Sequence, residues 1–326
     1  GILYVQGVPG LAEAREALLP LARRVALLPQ ETLCKYECER ASYCLGWSRG
    51  REKFRGKPDT AKGSFYANPL HDDPADGDEE VRAKYCQMRN IWPAEVPELE
   101  DAFKRMGRLV HETAKPIVRQ VDRLVAESVS GHTTKLFDRT FTESRMVLAR
   151  LLHYYSVCES DGVTDWCGWH NDNSTITGLV PALWLDEETG QQLQPPAGAG
   201  LFVEGRDGEQ TPIVPPKDCL GFQIGEAAQI LSGGIVHATP HMVRGHISKP
   251  GEPRISRETF AVFIQPQWDG LVGPPPGVQY DGIFKGREES KLIPPLRARL
   301  KKVPVVFGDL LRDSNDVYYE RNNPGA

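Results

Sequence analysis

Between residues 145 and 266 the chain breaks into short apolar runs that turn residues separate and no helical pattern interrupts. The runs are M-V-L-A-R-L-L-H-Y-Y, S-T-I-T-G-L-V-P-A-L-W-L, G-L-F-V-E-G, T-P-I-V, C-L-G-F-Q-I-G, Q-I-L-S-G-G-I-V and T-F-A-V-F-I-Q-P, with Gly, Pro and Asp between them. Seven or eight short strands at this spacing predict an antiparallel sandwich or barrel, of which a jelly roll is one form.

The first half reads differently. L-A-E-A-R-E-A-L-L-P-L-A-R-R-V-A-L-L carries apolar residues every three or four positions and predicts a helix. A longer helix is predicted from Leu99, Phe103, Met106, Val110, Ile117, Val121 and Leu124, which form one stripe that Pro116 is expected to kink or divide. His111 falls beside the stripe and is read as a boundary residue. Residues 45 to 90, rich in Gly, Pro, Asp and Lys, read as loop with short elements. The expected organisation is an N-terminal α/β region over 1–140 that buttresses the barrel, a β core over 141–275, and an extension over 276–326 that covers one barrel end.

Composition narrows the function classes. A net charge of −5 and the absence of a basic, aromatic-rich stripe argue against a general nucleic-acid binder. No apolar run approaches the ~20 residues of a membrane span. The odd set of seven cysteines, Cys34, Cys38, Cys44, Cys86, Cys158, Cys167 and Cys219, argues for a reducing compartment rather than a disulfide framework. Cys34, Cys38 and Cys44 lack the second pair that a zinc finger needs. An intracellular, cytoplasmic monomer is expected. The opening G-I-L-Y-V-Q-G-V reads as a strand entered at once, so upstream residues and an organelle-targeting peptide are expected to lie outside the sequence.

The chemistry-bearing stretch is W-H-N-D-N-S-T-I-T-G-L, residues 169 to 179. Residues i and i+2 of a strand share a face, so His170 and Asp172 can direct an imidazole and a carboxylate at one point. Two histidines and one carboxylate form the facial triad of non-haem iron(II) oxygenases, so a second histidine is required. His237, His241 and His246 in G-G-I-V-H-A-T-P-H-M-V-R-G-H compete for the role.

Here the chain resembles the iron(II)/2-oxoglutarate-dependent oxygenases of the isopenicillin N synthase-like family. The family's His-x-Asp, followed by a small residue and I/L-T-x-L, is matched by residues 170–179, and its S/T-x-H-R-V by Thr239-Pro240-His241-Met242-Val243 except at Met242. The resemblance therefore selects His241. It also implies an arginine and a hydroxyl that hold the far carboxylate of 2-oxoglutarate. Arg254-Ile255-Ser256 fits the Arg-x-Ser triplet literally, but Arg257-Glu258-Thr259 has the family's spacing to Pro266, which selects Arg257 and Thr259. Tyr154 would complete that site, with Leu152 where the family has asparagine. K-G-S-F-Y, G-L-F-V-E-G-R-D-G-E and F-G-D-L-L are similar to further family segments, so the match runs along most of the chain.

What the resemblance implies is a mainly β fold with flanking helices, built on a double-stranded β-helix (jelly roll) core behind a helical N-terminal region. The implied function is an iron(II)- and 2-oxoglutarate-dependent dioxygenase that hydroxylates or desaturates a small organic substrate, releasing succinate and carbon dioxide, with ascorbate as an accessory reductant. Trp166, Trp169 and Arg150 are expected near the substrate, whose pocket is expected to draw on residues 45–75, 158–169 and the tail. Asn171 and Asn173 alternate with the ligands and receive no catalytic role. The competing readings are a same-fold oxidase that does not use 2-oxoglutarate and an inactive ligand-binding or sensing homologue.

Overall fold

A computed structural model describes residues 1–51, 53–54, 57–85, 87–130, 135–157, 165–249, 251–286 and 289–318. Cys86, Cys158 and the 158–164 part of the expected substrate loop lie outside the described residues. The strands that build the core are β1 (Ile2–Gln6), β2 (Gly46–Arg49), β3 (Lys62–Ala67), β4 (Val147–Tyr154), β5 (Asp165–His170), β6 (Ile176–Asp186), β7 (Gly200–Glu204), β8 (Gln210–Ile213), β9 (Cys219–Ile224), β10 (His241–Arg244) and β11 (Ile255–Ile264). The principal helices are α1 (Leu11–Ala26), α2 (Leu99–Ser128), α3 (Glu226–Leu231) and α4 (Phe307–Tyr318).

Seven strands pair in the order β1-β9-β6-β11-β4-β3-β2 and four in the order β8-β7-β10-β5, every pairing antiparallel. Strands from residues 2–67 thus continue the sheet formed by residues 147–264. Alternation decides the two faces of the large sheet. Leu151, Phe260 and Val262 pack with the helices, whereas Leu152, Tyr154 and Ala261 belong to a second cluster with Trp166, Trp184 and Val243. This second face looks toward the four-stranded sheet, as a jelly roll requires.

The helices cover the outer face of the large sheet. α2 buries Leu99, Phe103, Met106, Val110, Ala114, Val118 and Val125 along one side, and Phe103 meets Phe260 of β11 edge-on at 4.8 Å between ring centres. Arg15 of α1 clamps the sheet by donating to the carbonyls of Pro181 and Ala182 at 2.8 and 2.7 Å. Pro116 does not divide α2, which runs unbroken past it. Pro116 lies on the exposed side, where water can satisfy the carbonyl one turn back that loses its N–H partner. One other expectation changes. Q-I-L-S-G-G-I-V is the end of α3 and a turn rather than a strand, because E-A-A-Q-I-L forms a helix after Gly225 and buries Ala227, Ala228, Ile230 and Leu231. The short elements expected within residues 45–90 include β2 and β3, which join the large sheet.

α2 approaches the sheet closely at Gly178, where a Cβ would lie 2.1 Å from Cγ1 of Val110 and 3.1 Å from Cε1 of Phe222. Gly178→Ala should therefore destabilise the fold by about 1–3 kcal/mol through overpacking, seen as a lower urea midpoint with unchanged slope.

His111 is buried rather than a boundary residue, with its ring 5.0 Å from that of Phe141. Burial pushes its imidazole below the ordinary 6.5, and Lys115 adds to the push. Below about pH 6.5 the unfolded chain then binds more protons at this position than the native one, so acid removes stability there. Unfolding free energies at pH 7 and pH 5 should fall less for His111→Phe than for the wild type.

Candidate metal and cosubstrate site

The site lies between the two sheets. β10 and β5 pair with His241 directly opposite His170, and Asp172 follows two residues beyond the end of β5. Oδ1 of Asp172 is 3.8 Å from Nε2 of His170 and 3.7 Å from Nε2 of His241. One donor atom from each residue falls within 4.8 Å of the others. Among the described residues this is the group of His, Cys, Asp and Glu side chains that converges as a metal site does. His237 and His246 lie outside it; His246 faces Glu252 at 4.0 Å.

Backbone carbonyls hold both imidazoles in position. Nδ1 of His170 donates to the Gly168 carbonyl at 2.8 Å and Nδ1 of His241 to the Thr239 carbonyl at 3.0 Å. In the neutral rings this assignment puts the proton on Nδ1 and turns the Nε2 lone pairs to the centre, the tautomer a metal takes up once it displaces any second proton. Gln223 donates from Nε2 to Oδ2 of Asp172 at 2.7 Å and orients the carboxylate. Burial opposes a charged His170, but Cys167 and Asp172 outweigh it and hold the imidazole up at about 9. His241 is pushed down to about 4 by burial and by the neighbouring His170. Burial works against an ionised Asp172 as well, yet His241 and His170 keep it below its usual range. The donor set of two imidazoles and one carboxylate on one side of a point suits a divalent transition metal with open positions opposite.

A cavity of about 310 Å³ opens from these three residues, a size suited to small ligands. Tyr154, Arg257, Thr259 and Arg150 also line it. Cross-strand register explains why they meet: Arg257 of β11 is opposite Tyr154 of β4 and Trp184 of β6, and Ala261 is opposite Arg150. Arg257 is 8% exposed, and its Nε and Nη1 are buried without a hydrogen-bond partner. Its guanidinium carbon lies 5.1 Å from the ring centre of Tyr154 and 5.7 Å from that of Trp184. Thr259 gives its hydroxyl proton to the Val180 carbonyl at 2.9 Å. Arg150 donates from Nε to Ser64 Oγ at 2.9 Å. Arg254, the residue of the other register, faces Glu187 on the surface side.

Trp166 and Trp169 do not line the cavity. Three residues of β10, His241 to Val243, span four of β5, His170 to Cys167, so β5 carries one extra residue there, and the register shifts again between Val243 and Arg244. Such a bulge reverses the alternation. Cys167 therefore turns to the cavity beside His170, at 3.8 Å from Sγ to Nδ1, and Trp166 turns into the core. There it donates from Nε1 to the Tyr155 carbonyl at 2.8 Å and backs the rings of Tyr154 and Trp184. Cys34, Cys38, Cys44, Cys167 and Cys219 form no disulfide. No helix among the described residues is long and apolar enough to cross a membrane.

Gln223 is not singled out by sequence reasoning. Its signal is present as the one amide in the apolar run C-L-G-F-Q-I. A polar side chain buried inside a strand needs a partner, and here the partner is a metal-ligand candidate.

No family model matches the chain. Over 231 residues it is 27% identical to jasmonate-induced oxygenase 4 of Arabidopsis thaliana, which covers 69% of this chain and 58% of the relative. A stretch of 132 residues is 32% identical to a bifunctional coumaroyl-CoA and feruloyl-CoA ortho-hydroxylase of Ipomoea batatas, covering 40% of this chain and 31% of that one. The chain thus spans at most little more than half the length of these relatives. Among solved structures, JOX2 in complex with 2OG, Fe and JA superposes with a TM-score of 0.65 at 18% identity, over 97% of this chain and 78% of that one. A full-length Neurospora crassa protein in complex with alpha-KG and 5-formyluracil superposes with a TM-score of 0.64 at 17% identity, over 96% and 85%. At these identities the likeness is one of fold.

Proposed function

We propose that this chain, a homologue of plant oxygenases with the fold of the 2-oxoglutarate and iron(II) oxygenases, is an iron(II)- and 2-oxoglutarate-dependent dioxygenase that hydroxylates or desaturates a small organic molecule. The observation that carries the reading is the pairing, in one cavity, of a three-residue metal face with a buried arginine whose Nε and Nη1 have no partner. A buried guanidinium left this way is costly unless an anion completes it.

His170, Asp172 and His241 would hold iron(II), which supplies dioxygen activation coupled to decarboxylation of 2-oxoglutarate. Arg257 holds the distal carboxylate of the cosubstrate through its planar fork of N–H donors. Tyr154 backs Arg257 and limits its movement. Thr259 joins the contact by turning its hydroxyl from Val180. Gln223 keeps one carboxylate oxygen of Asp172 occupied, so that the other faces the metal. Apolar side chains such as Leu152, Val243 and Phe263 line the rest of the cavity and exclude water from the reacting C–H bond.

The test is succinate release from 2-oxoglutarate by purified protein with iron(II) in air, against a panel led by the compound classes named for the relatives, phenylpropanoid thioesters and jasmonates. Succinate above the protein-free background that a chelator abolishes is the expected result. Iron-loaded protein that yields none, with or without substrate, would refute the reading.

A further inference from the structure

The segment bearing two of the three metal-ligand candidates is held from outside the barrel by a buried polar cluster that reaches the C-terminal part of the chain. Glu226, the first residue of α3, and Arg299 are both fully buried. Arg299 grips the carboxylate with two hydrogen bonds, Nη1 to Oε2 at 2.7 Å and Nη2 to Oε1 at 2.6 Å, and its Nη1 also reaches Ser314 Oγ of α4 at 2.7 Å. Three further bonds run from this cluster to the ligand segment. Asn171 donates from Nδ2 to Oε1 of Glu226 at 3.0 Å, the N–H of Glu226 donates to the Asp172 carbonyl at 2.8 Å, and the N–H of Asn171 donates to the Tyr318 hydroxyl at 3.2 Å.

Stability alone does not account for such a pair. A fully buried ion pair is often no better than apolar residues of similar volume. What an apolar pair could not do is fix a neighbouring amide and two backbone groups in direction. Asn171 stands between His170 and Asp172, so bonds to its side chain and N–H set the separation of the two flanking ligand side chains.

Building on the proposed metal site, we infer that Asn171, Glu226, Arg299 and Tyr318 are positioning residues that preset the geometry of His170 and Asp172, coupling the metal site to the segment around α4. The two candidates need this because His170 is the last paired residue of β5, next to a bulge, and Asp172 lies two residues beyond it, where strand pairing no longer fixes direction.

The test uses Co(II) titration of the full chain, reading both affinity and the d–d absorption of the bound ion. Asn171→Ala leaves the Glu226–Arg299 pair intact and should weaken Co(II) about 10-fold or more, the range for losing an outer hydrogen bond, with an altered spectrum. Tyr318→Phe should act in the same direction. Glu226→Met combined with Arg299→Met should keep the thermal stability of the metal-free protein while weakening Co(II) as Asn171→Ala does. If that pair does not fold, the two single variants carry the test. Wild-type affinity and spectrum in Asn171→Ala and Tyr318→Phe would overturn the inference and leave the metal site standing. A wild type that binds no Co(II), or binds it equally well after His170→Ala, would overturn both.

Discussion

His170→Ala is expected to reduce metal binding by more than the ~10–100-fold that loss of an outer hydrogen bond costs, and to abolish succinate formation. The reason is geometric. Two residues cannot define a face, and the remaining Asp172 and His241 lie on different segments, 3.7 Å apart at their nearest donor atoms, with nothing else of suitable chemistry converging among the described residues. Asp172→Asn should lose a comparable amount, since an amide keeps the shape but not the charge that a divalent ion requires. His246→Ala is the control, because that ring faces Glu252 away from the triad. Titration with Co(II), together with the melting temperature of the metal-free protein, separates loss of a ligand from loss of fold. Equal metal stoichiometry and affinity in wild type and His170→Ala would remove His170 from the site.

The convergence of the three candidate ligands is legible because they obey local rules. A His-x-Asp at a strand end needs only the two-residue period to aim both groups one way, and a resemblance chooses His241 from three histidines. Arg257 is legible for a related reason, since spacing to Pro266 fixes its phase on a strand that alternates without interruption from Arg257 to Phe263 on the cavity face. The errors lie where a tertiary contact decides. Its position before His170 assigns Trp166 to the cavity, yet the extra residue in β5 turns it into the core and brings Cys167 forward. Nothing in D-W-C-G-W-H announces a bulge; the pairing with β10 produces it. The end of α3 reads as strand because six residues are too few to separate periods of 2 and 3.6. Glu226 and Tyr318 lie 55 and 147 positions from Asn171, and Arg299 lies 73 from Glu226. Buried charges of this sort look like surface charges until the fold pairs them.

The second large effect concerns Arg257. Arg257→Met should raise the KM for 2-oxoglutarate by roughly 30-fold to several thousand-fold, from the about 2–5 kcal/mol lost when one partner of a buried charge pair is truncated. The same substitution should leave the cosubstrate-free protein as stable as the wild type or more so. The two expectations have one cause. In the structure the guanidinium is buried with Nε and Nη1 unpartnered, and burial pushes its pKa below the ordinary value although Tyr154 and Glu258 pull the other way, so the protein holds a charge at a cost that an anionic ligand would offset. A methionine of similar length fills the space beside Tyr154 and Trp184 without that cost. Arg257→Lys should fall between, since it keeps the charge but not the fork that binds a carboxylate through two parallel bonds. A variant that gains stability while its KM for 2-oxoglutarate moves less than threefold would show that the cavity's anion is something else. A same-fold oxidase that draws its electrons elsewhere predicts no succinate from wild type or variant, so succinate yield and melting temperature, read together on this one substitution, distinguish the two chemistries.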